Sequence, residues 1–255
     1  MALFSLKNYN AIVTGSSRGI GFSISKHLAE QGANVVISSR RLESCISAAD
    51  KINEAVGRKA AIPIQADIGS RDDIFHLAEK SSEALGQIST LICNAATSTH
   101  YGPFSDIADD QFRKVLENNI LSNHWLIQAV SPHMVKTGDG SILLISSISA
   151  FKAYPSMGAY SVSKAAELQL TRSYALELAA SNIRVNAICP GVIETNFAKA
   201  ALSDVDTRKR LENDALLNRV GQPDEIAGAA IFFASKASSF VTGQFLNIDG
   251  GASIT

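Results

Sequence analysis

Short runs of β-branched and aliphatic residues recur along the chain, separated by stretches in which apolar residues return every three or four positions. The runs are Ala11–Thr14, Asn34–Ser38, Ala61–Ala66, Thr90–Cys93, Ser141–Ser146, Arg184–Cys189 and Phe245–Ile248. Most are nearly continuous apolar segments, the pattern of strands covered on both faces. Between them, Ile20, Ile24 and Leu28 form one helical stripe, Ile74, Leu77 and Ala78 a second, and Phe112, Val115, Leu116 and Ile120 a third. Gln222-Pro223-Asp224-Glu225 reads as a helix start, with proline and acids in the first turn. Strand–helix alternation at this rhythm predicts an α/β fold: a doubly wound parallel sheet with helices on both faces, binding ligands at the strands' carboxyl ends.

The chain has 255 residues, and no Pro/Gly/Ser-rich linker or charge run divides it, so residues 1–255 read as a single domain. With 46 % apolar and 18 % charged residues it packs a core. A net charge of -1 argues against broad electrostatic binding to nucleic acid or anionic membrane. No apolar run is long enough to span a bilayer, and Met1–Asn10 lacks the pattern of a secretory signal, so a cytoplasmic location is expected. Cys45, Cys93 and Cys189 form no CxxC pair, and the five histidines show no ligand spacing. Cys93 and Cys189 read as buried inert thiols, and no metal is expected.

Candidate chemistry begins at the end of the first strand, in Thr14-Gly15-Ser16-Ser17-Arg18-Gly19-Ile20-Gly21. Backbone without Cβ atoms can approach a pyrophosphate closely, and a helix N-terminus offers free N–H groups to it. The GxxxGxG spacing is not that of a nucleoside-triphosphate loop. A tight structural turn is the alternative. The second strand ends Ser38-Ser39-Arg40-Arg41, with no acid before Glu43 to bind a free ribose 2′-hydroxyl. Arg18 and Arg40 could instead flank a 2′-phosphate, which favours NADP(H) over NAD(H). Solvated surface arginines would be the plainer explanation for one arginine alone, and two at the two expected places favour the phosphate.

Tyr160-Ser161-Val162-Ser163-Lys164 places a phenol and an ammonium four residues apart, on one helix face. Tyrosine is a poor base at its reference pKa of about 10, and a nearby lysine is expected to lower it. So tuned, a tyrosine can exchange a proton with a carbonyl or alcohol oxygen near neutral pH. The fifth strand ends at Ser146-Ser147, and a hydroxyl there can polarise a carbonyl; helix capping would also explain the pair.

In their order and spacing, TGSSRGIG, the strand end CNAA, Ser147 thirteen residues before the tyrosine of YSVSK, and CPGVIET resemble the short-chain dehydrogenase/reductase family. The resemblance spans essentially the whole chain and includes Asp67 and the ending Asn247–Gly251. It implies a Rossmann-type sheet of about seven strands in the order 3-2-1-4-5-6-7, and an enzyme interconverting a carbonyl and an alcohol. The catalytic tetrad it implies is Asn119, Ser147, Tyr160 and Lys164. Tyr160 would be the general acid/base and Ser147 would orient the carbonyl. Lys164 would bind the nicotinamide ribose and lower the tyrosine pKa. Asn119 would hold a helix distortion and a water of the proton relay. The pair Asn118-Asn119 leaves that position open by one residue; the family's dipeptide and the flanking Leu116 and Ile120 favour Asn119.

For the cofactor, the resemblance implies that Gly15, Ser17, Arg18, Gly19 and Ile20 wrap the pyrophosphate and adenosine end. Asp67 and Ile68 would meet the adenine, Asn94 and Ala95 the riboses, and Pro190, Gly191, Ile193 and Thr195 the nicotinamide. Ala96 departs from the family's usual glycine, and Asn-Ala-Ala is similar to the dicarbonyl and retinal reductase branch. Residues 195–217 would form a substrate lid. The apolar stretches Trp125–Val130 and Phe240–Ile248 would form the interfaces of a homotetramer. A 3-oxoacyl-thioester reductase shares every motif; a basic patch for an acidic carrier protein would mark it, and no clear cluster stands beside the expected site. A non-catalytic cofactor-binding scaffold would be marked by loss of Tyr160 or Lys164, and both are present.

Overall fold

The computed structural model describes residues 3–254. Seven parallel strands form one sheet: β1 (Asn10–Thr14), β2 (Asn34–Ser39), β3 (Ala61–Gln65), β4 (Thr90–Cys93), β5 (Gly140–Ile145), β6 (Ile183–Pro190) and β7 (Phe245–Ile248). Their order is β3-β2-β1-β4-β5-β6-β7, the doubly wound arrangement expected from the sequence. Each predicted run lies on a strand, with ends shifted by a residue at most.

Side chains alternate across the sheet and split the interior in two. Ile12, Val36, Leu91 and Leu144 face one layer, with Ile74 and Leu77 of α3 (Arg71–Leu85), Leu126 and Ile127 of α5 (Ser122–Val135) and Leu168 of α6 (Gly158–Leu178). Val13, Val35, Ile37 and Leu143 face the other, with Ile24 and Leu28 of α1 (Gly19–Glu30), Ile52 of α2 (Leu42–Val56) and Phe233 of α9 (Pro223–Ala234). Burial on both faces holds for the five inner strands and fails at the edges, where β3 and β7 are partly open. Pro63 is tolerated because β3 is an edge strand.

The helix start at Gln222 is as read: Pro223 opens α9, and Glu225 Oε2 accepts from Gln222 N at 2.8 Å. The remaining helices are α4 (Asp109–Leu116), α7 (Lys199–Ser203) and α8 (Val205–Asn213). Within Trp125–Val130, Leu126, Ile127 and Val130 are buried in the chain's own core, on the α5 face that packs against the sheet, while Trp125 is half-buried and Gln128 exposed. Val135 of α5 and Val162 and Leu176 of α6 are exposed apolar residues. The C-terminal stretch does present apolar surface, with Phe240 fully exposed and Leu246 partly so.

The last strand is tied in by one buried side chain. Asn186 of β6 donates from Nδ2 to Val241 O at 2.9 Å and accepts from Gln244 N at 3.0 Å. Asn186→Ala removes the partner of both backbone groups, at about 1–3 kcal/mol for each group left unsatisfied. Urea unfolding is expected to show a lower midpoint with an unchanged m value.

Candidate active site

The carboxyl ends of β1, β4, β5 and β6 converge on one edge, and the expected site residues stand there. Gly15 and Gly19 adopt φ of 63° and 59°. A Cβ at Gly21 would lie 2.6 Å from both Gly15 O and Asn94 Nδ2, so the loop closes only without a side chain there. Asn94 donates from Nδ2 to Thr14 O at 2.9 Å and Gly15 O at 3.2 Å, while Thr14 Oγ1 accepts from Asn94 N and Ala95 N. Ser16 ties the loop to β2: its hydroxyl donates to Val13 O and accepts from Ser38 N.

This loop fits an anion. Arg18, the residue before α1, makes no side-chain cap, and the first turn holds no acid, so the N–H groups of that turn, beginning with Gly19 and Ile20, have no capping side chain from Arg18. Thr195 lies across from it, 3.4 Å from where a Gly19 Cβ would be. An open cleft of about 810 Å³ runs between α1 and the segment Glu194–Lys199. Arg18 and Arg40 are exposed, and neither guanidinium hydrogen-bonds another described residue. Gln65 donates to Arg40 O at 2.9 Å, holding the ends of β2 and β3 together. Beyond β3, Asp67 accepts from Gly69 N, and Ile68 is half-buried beside it. Across the edge, Pro190 ends β6, Gly191 N donates to Ile248 O at 2.9 Å, and Ile193 is buried.

The four tetrad candidates come together at the ends of β4 and β5 and on α6. Tyr160 is 9 % exposed, and Ser147 stands close enough to its phenol to favour the ionised form. Ser147 also caps a short turn, accepting from Ser149 N at 3.1 Å, as the capping alternative expected. Lys164 Nζ stands 5.5 Å from the Tyr160 ring centre. Asn119, fully buried, lies in a π-turn at Glu117–Leu121 between α4 and α5. Its Nδ2 donates to Thr97 O and Ser163 Oγ, both at 2.9 Å, and Oδ1 accepts from Thr97 N at 2.8 Å. The wide turn leaves carbonyls that side chains satisfy: Ser122 Oγ donates to Asn118 O, and Asn123 Nδ2 to Asn119 O at 2.8 Å.

Three participants were not anticipated. Phe197 packs on Tyr160, ring centres 5.6 Å apart. Asn123 and Glu167 are buried beside Lys164, whose Nζ donates to Glu167 Oε1 at 2.8 Å and Oε2 at 3.0 Å. The signal for Glu167 was available: three residues after Lys164, a charge interrupts the stripe that Leu168 and Thr171 continue.

The electrostatics correct one expectation. Lys164 alone was expected to lower Tyr160. Here burial pushes the phenol up, Lys164 pulls it down, and Glu167 raises it again, so Tyr160 titrates above its ordinary value. Burial also pushes Cys189 up to about 12 and Cys93 higher still, the behaviour of inert thiols. Among the described residues no group of three or more His, Cys, Asp or Glu is placed to hold a metal ion. No described helix is long and apolar enough to cross a membrane.

Sequence and structural comparisons agree with this fold. The family model described as enoyl-(acyl carrier protein) reductase matches residues 15–253. Dehydrogenase/reductase SDR family member 4 of Bos taurus is 37 % identical over 248 residues, 97 % of this chain and 88 % of that protein. A gluconate 5-dehydrogenase from Burkholderia cenocepacia, solved with NADP and tartrate, is 32 % identical with a TM-score of 0.94, covering 99 % and 98 % of the two chains. A 7α-hydroxysteroid dehydrogenase, solved with NADH and 7-oxo glycochenodeoxycholic acid, is 36 % identical with a TM-score of 0.93, covering 98 % and 96 %. The chain belongs to the short-chain dehydrogenase/reductase family. It is an NAD(P)-dependent oxidoreductase that interconverts carbonyl and alcohol groups.

Proposed function

We propose that this protein is an NADP(H)-dependent carbonyl reductase in which Tyr160 is the proton donor. The observation that carries this reading is the buried Tyr160 phenol beside Ser147, with the buried Lys164 ammonium 5.5 Å from its ring centre. Gly19 and Thr195, which line the open cleft, and the Gly15 turn would hold NADP(H), which would supply the hydride. Ser147 orients the carbonyl oxygen through its hydroxyl, and Tyr160 gives that oxygen its proton as the C–O double bond becomes single. Lys164 supports the phenolate left behind. Asn119 fixes the loop after β4 through Thr97 and, through Ser163, the first turn of α6. Pro190, Gly191, Ile193 and Thr195 would hold the nicotinamide, and Asn94 and Ala95 would meet the riboses.

The single domain carries 195–217 as its lid, supported by Phe197 standing over Tyr160 and by Leu217 N anchored on Gly250 O. Three buried free thiols suit a reducing, cytoplasmic setting. A homotetramer is the assembly that the outward apolar residues Val135 on α5, Val162 and Leu176 on α6, and Phe240 support.

The decisive experiment is turnover by Tyr160→Phe on whichever ketone, diketone or acyl thioester the wild type reduces fastest with NADPH. Loss of general acid assistance is expected to slow reduction by about 10²–10⁴, with NADPH affinity little changed. Near-normal turnover in a folded variant would overturn the assignment.

Arg40→Asp addresses the cofactor. The exposed, unengaged guanidinium of Arg40 is proposed to bind the 2′-phosphate, a charge-assisted bond of about 1.5–3 kcal/mol. The variant should lose NADPH affinity and keep that for NADH; wild-type preference for NADH rejects the assignment.

Light scattering should report four chains per particle, and amide exchange should show β7 protected by assembly and 195–217 protected by NADPH. A monomer at micromolar concentration rules out the tetramer, and a lid indifferent to cofactor rules out its closure.

A further inference from the structure

Lys164 is 1 % exposed, and its three N–H donors are all engaged. One goes to Ile145 O at 2.9 Å, at the end of β5, and two go to the Glu167 carboxylate. Glu167, also 1 % exposed, accepts from Lys164 Nζ through both oxygens and from Asn123 Nδ2 at 3.3 Å, while the nearby Ser146 hydroxyl donates to Lys164 O at 3.0 Å. A carboxyl held through both oxygens by an ammonium has the contacts of an ion pair. Asn123 also donates to Asn119 O, the carbonyl released by the π-turn. A dry network therefore runs from Tyr160 through Lys164, Glu167 and Asn123 to Asn119, drawn from α6, α5 and the end of β5.

We propose that Glu167 is a positioning residue for the proton-transfer pair: its carboxylate holds the Lys164 ammonium against the end of β5 and cancels its charge, keeping Tyr160 a protonated donor suited to reduction. The proposal rests on Tyr160 being the proton donor, as argued above.

The groups facing this pair are few. Tyr160 and Lys164 share α6 with Glu167. Cys93 ends β4, Cys189 lies on β6, Tyr101 follows β4, and Asp249 follows β7 beside Cys189. Burial keeps both thiols neutral, so Glu167 is the anion in contact with Lys164. The sign then follows from charge. With the carboxylate present, the Tyr160–Lys164–Glu167 cluster goes from neutral to -1 when it loses a proton. Without it, the cluster goes from +1 to neutral, which is easier in a dry site. The direction is the same whether the phenol or the ammonium gives up the proton.

The test is the pH dependence of carbonyl reduction by Glu167→Gln and Glu167→Asp, beside wild type and Tyr160→Phe, using the fastest wild-type substrate and NADPH. Phenolate absorbance titration of the cofactor-free proteins, with Tyr160→Phe as the blank, supplies a readout independent of turnover. In Glu167→Gln the alkaline limb should move down by about one pH unit or more, and the phenolate should appear at correspondingly lower pH. Glu167→Asp keeps the charge but cannot keep both contacts, so it should shift the same way by less. It carries the test if the glutamine variant does not fold. Unmoved limbs and titrations in the folded variants, with Tyr160→Phe inactive, overturn the proposal while leaving the role of Tyr160 intact. An active Tyr160→Phe removes the reading beneath it instead.

Discussion

Parallel pairing is the constraint on which this molecule depends. Strands that run the same way must all finish at the same edge of the sheet, and each must be followed by a crossover before the next begins. Residues distant in sequence are thereby delivered to one line: Gly15 after β1, Arg40 after β2, Asn94 after β4, Ser147 after β5 and Gly191 after β6. The edge is also where the strand ladder stops, and its last polar groups need other partners. Asn94 and Thr14 meet that need between β1 and β4, and Ser16 between β1 and β2. The same bonds that finish the sheet shape the glycine loop.

Much of this was legible in the chain because the signals are local. Continuous apolar runs mark strands, and Pro223 with Glu225 marks a helix start. The edges were less legible: β3 and β7 have the composition of strands but are open to one side, which depends on neighbours and not on their own residues. Trp125–Val130 shows the same limit, since apolarity alone does not say whether a residue faces the sheet or another subunit. At the candidate site, Tyr160, Lys164 and Ser147 announced themselves by spacing. Asn123 did not, because its role arises from a carbonyl that becomes available only where the helix widens. Glu167 left a visible charge in a buried stripe, but its partner is settled by packing.

The site shows how burial alters what a residue pair can do. Side by side on an exposed helix, Tyr160 and Lys164 would be a phenol and a solvated ammonium with a weak mutual influence. Enclosed, the ammonium needs a counter-charge, and the carboxylate that supplies it also acts on the phenol. Three ionisable groups within two turns of α6 therefore behave as one, and no member's protonation can be read without the other two.

The π-turn at Glu117–Leu121 has a consequence for how this region can vary. The extra residue is taken up within the wide turn, and the buried positions Val115, Asn119, Ser122, Leu126 and Val130 follow one another through it at steps of three or four. The widening frees Asn118 O and Asn119 O for the side chains of Ser122 and Asn123. Removing one residue here would restore a regular helix and withdraw those two carbonyls from their side-chain partners. The length of this segment is thus under tighter restraint than the identity of most residues within it.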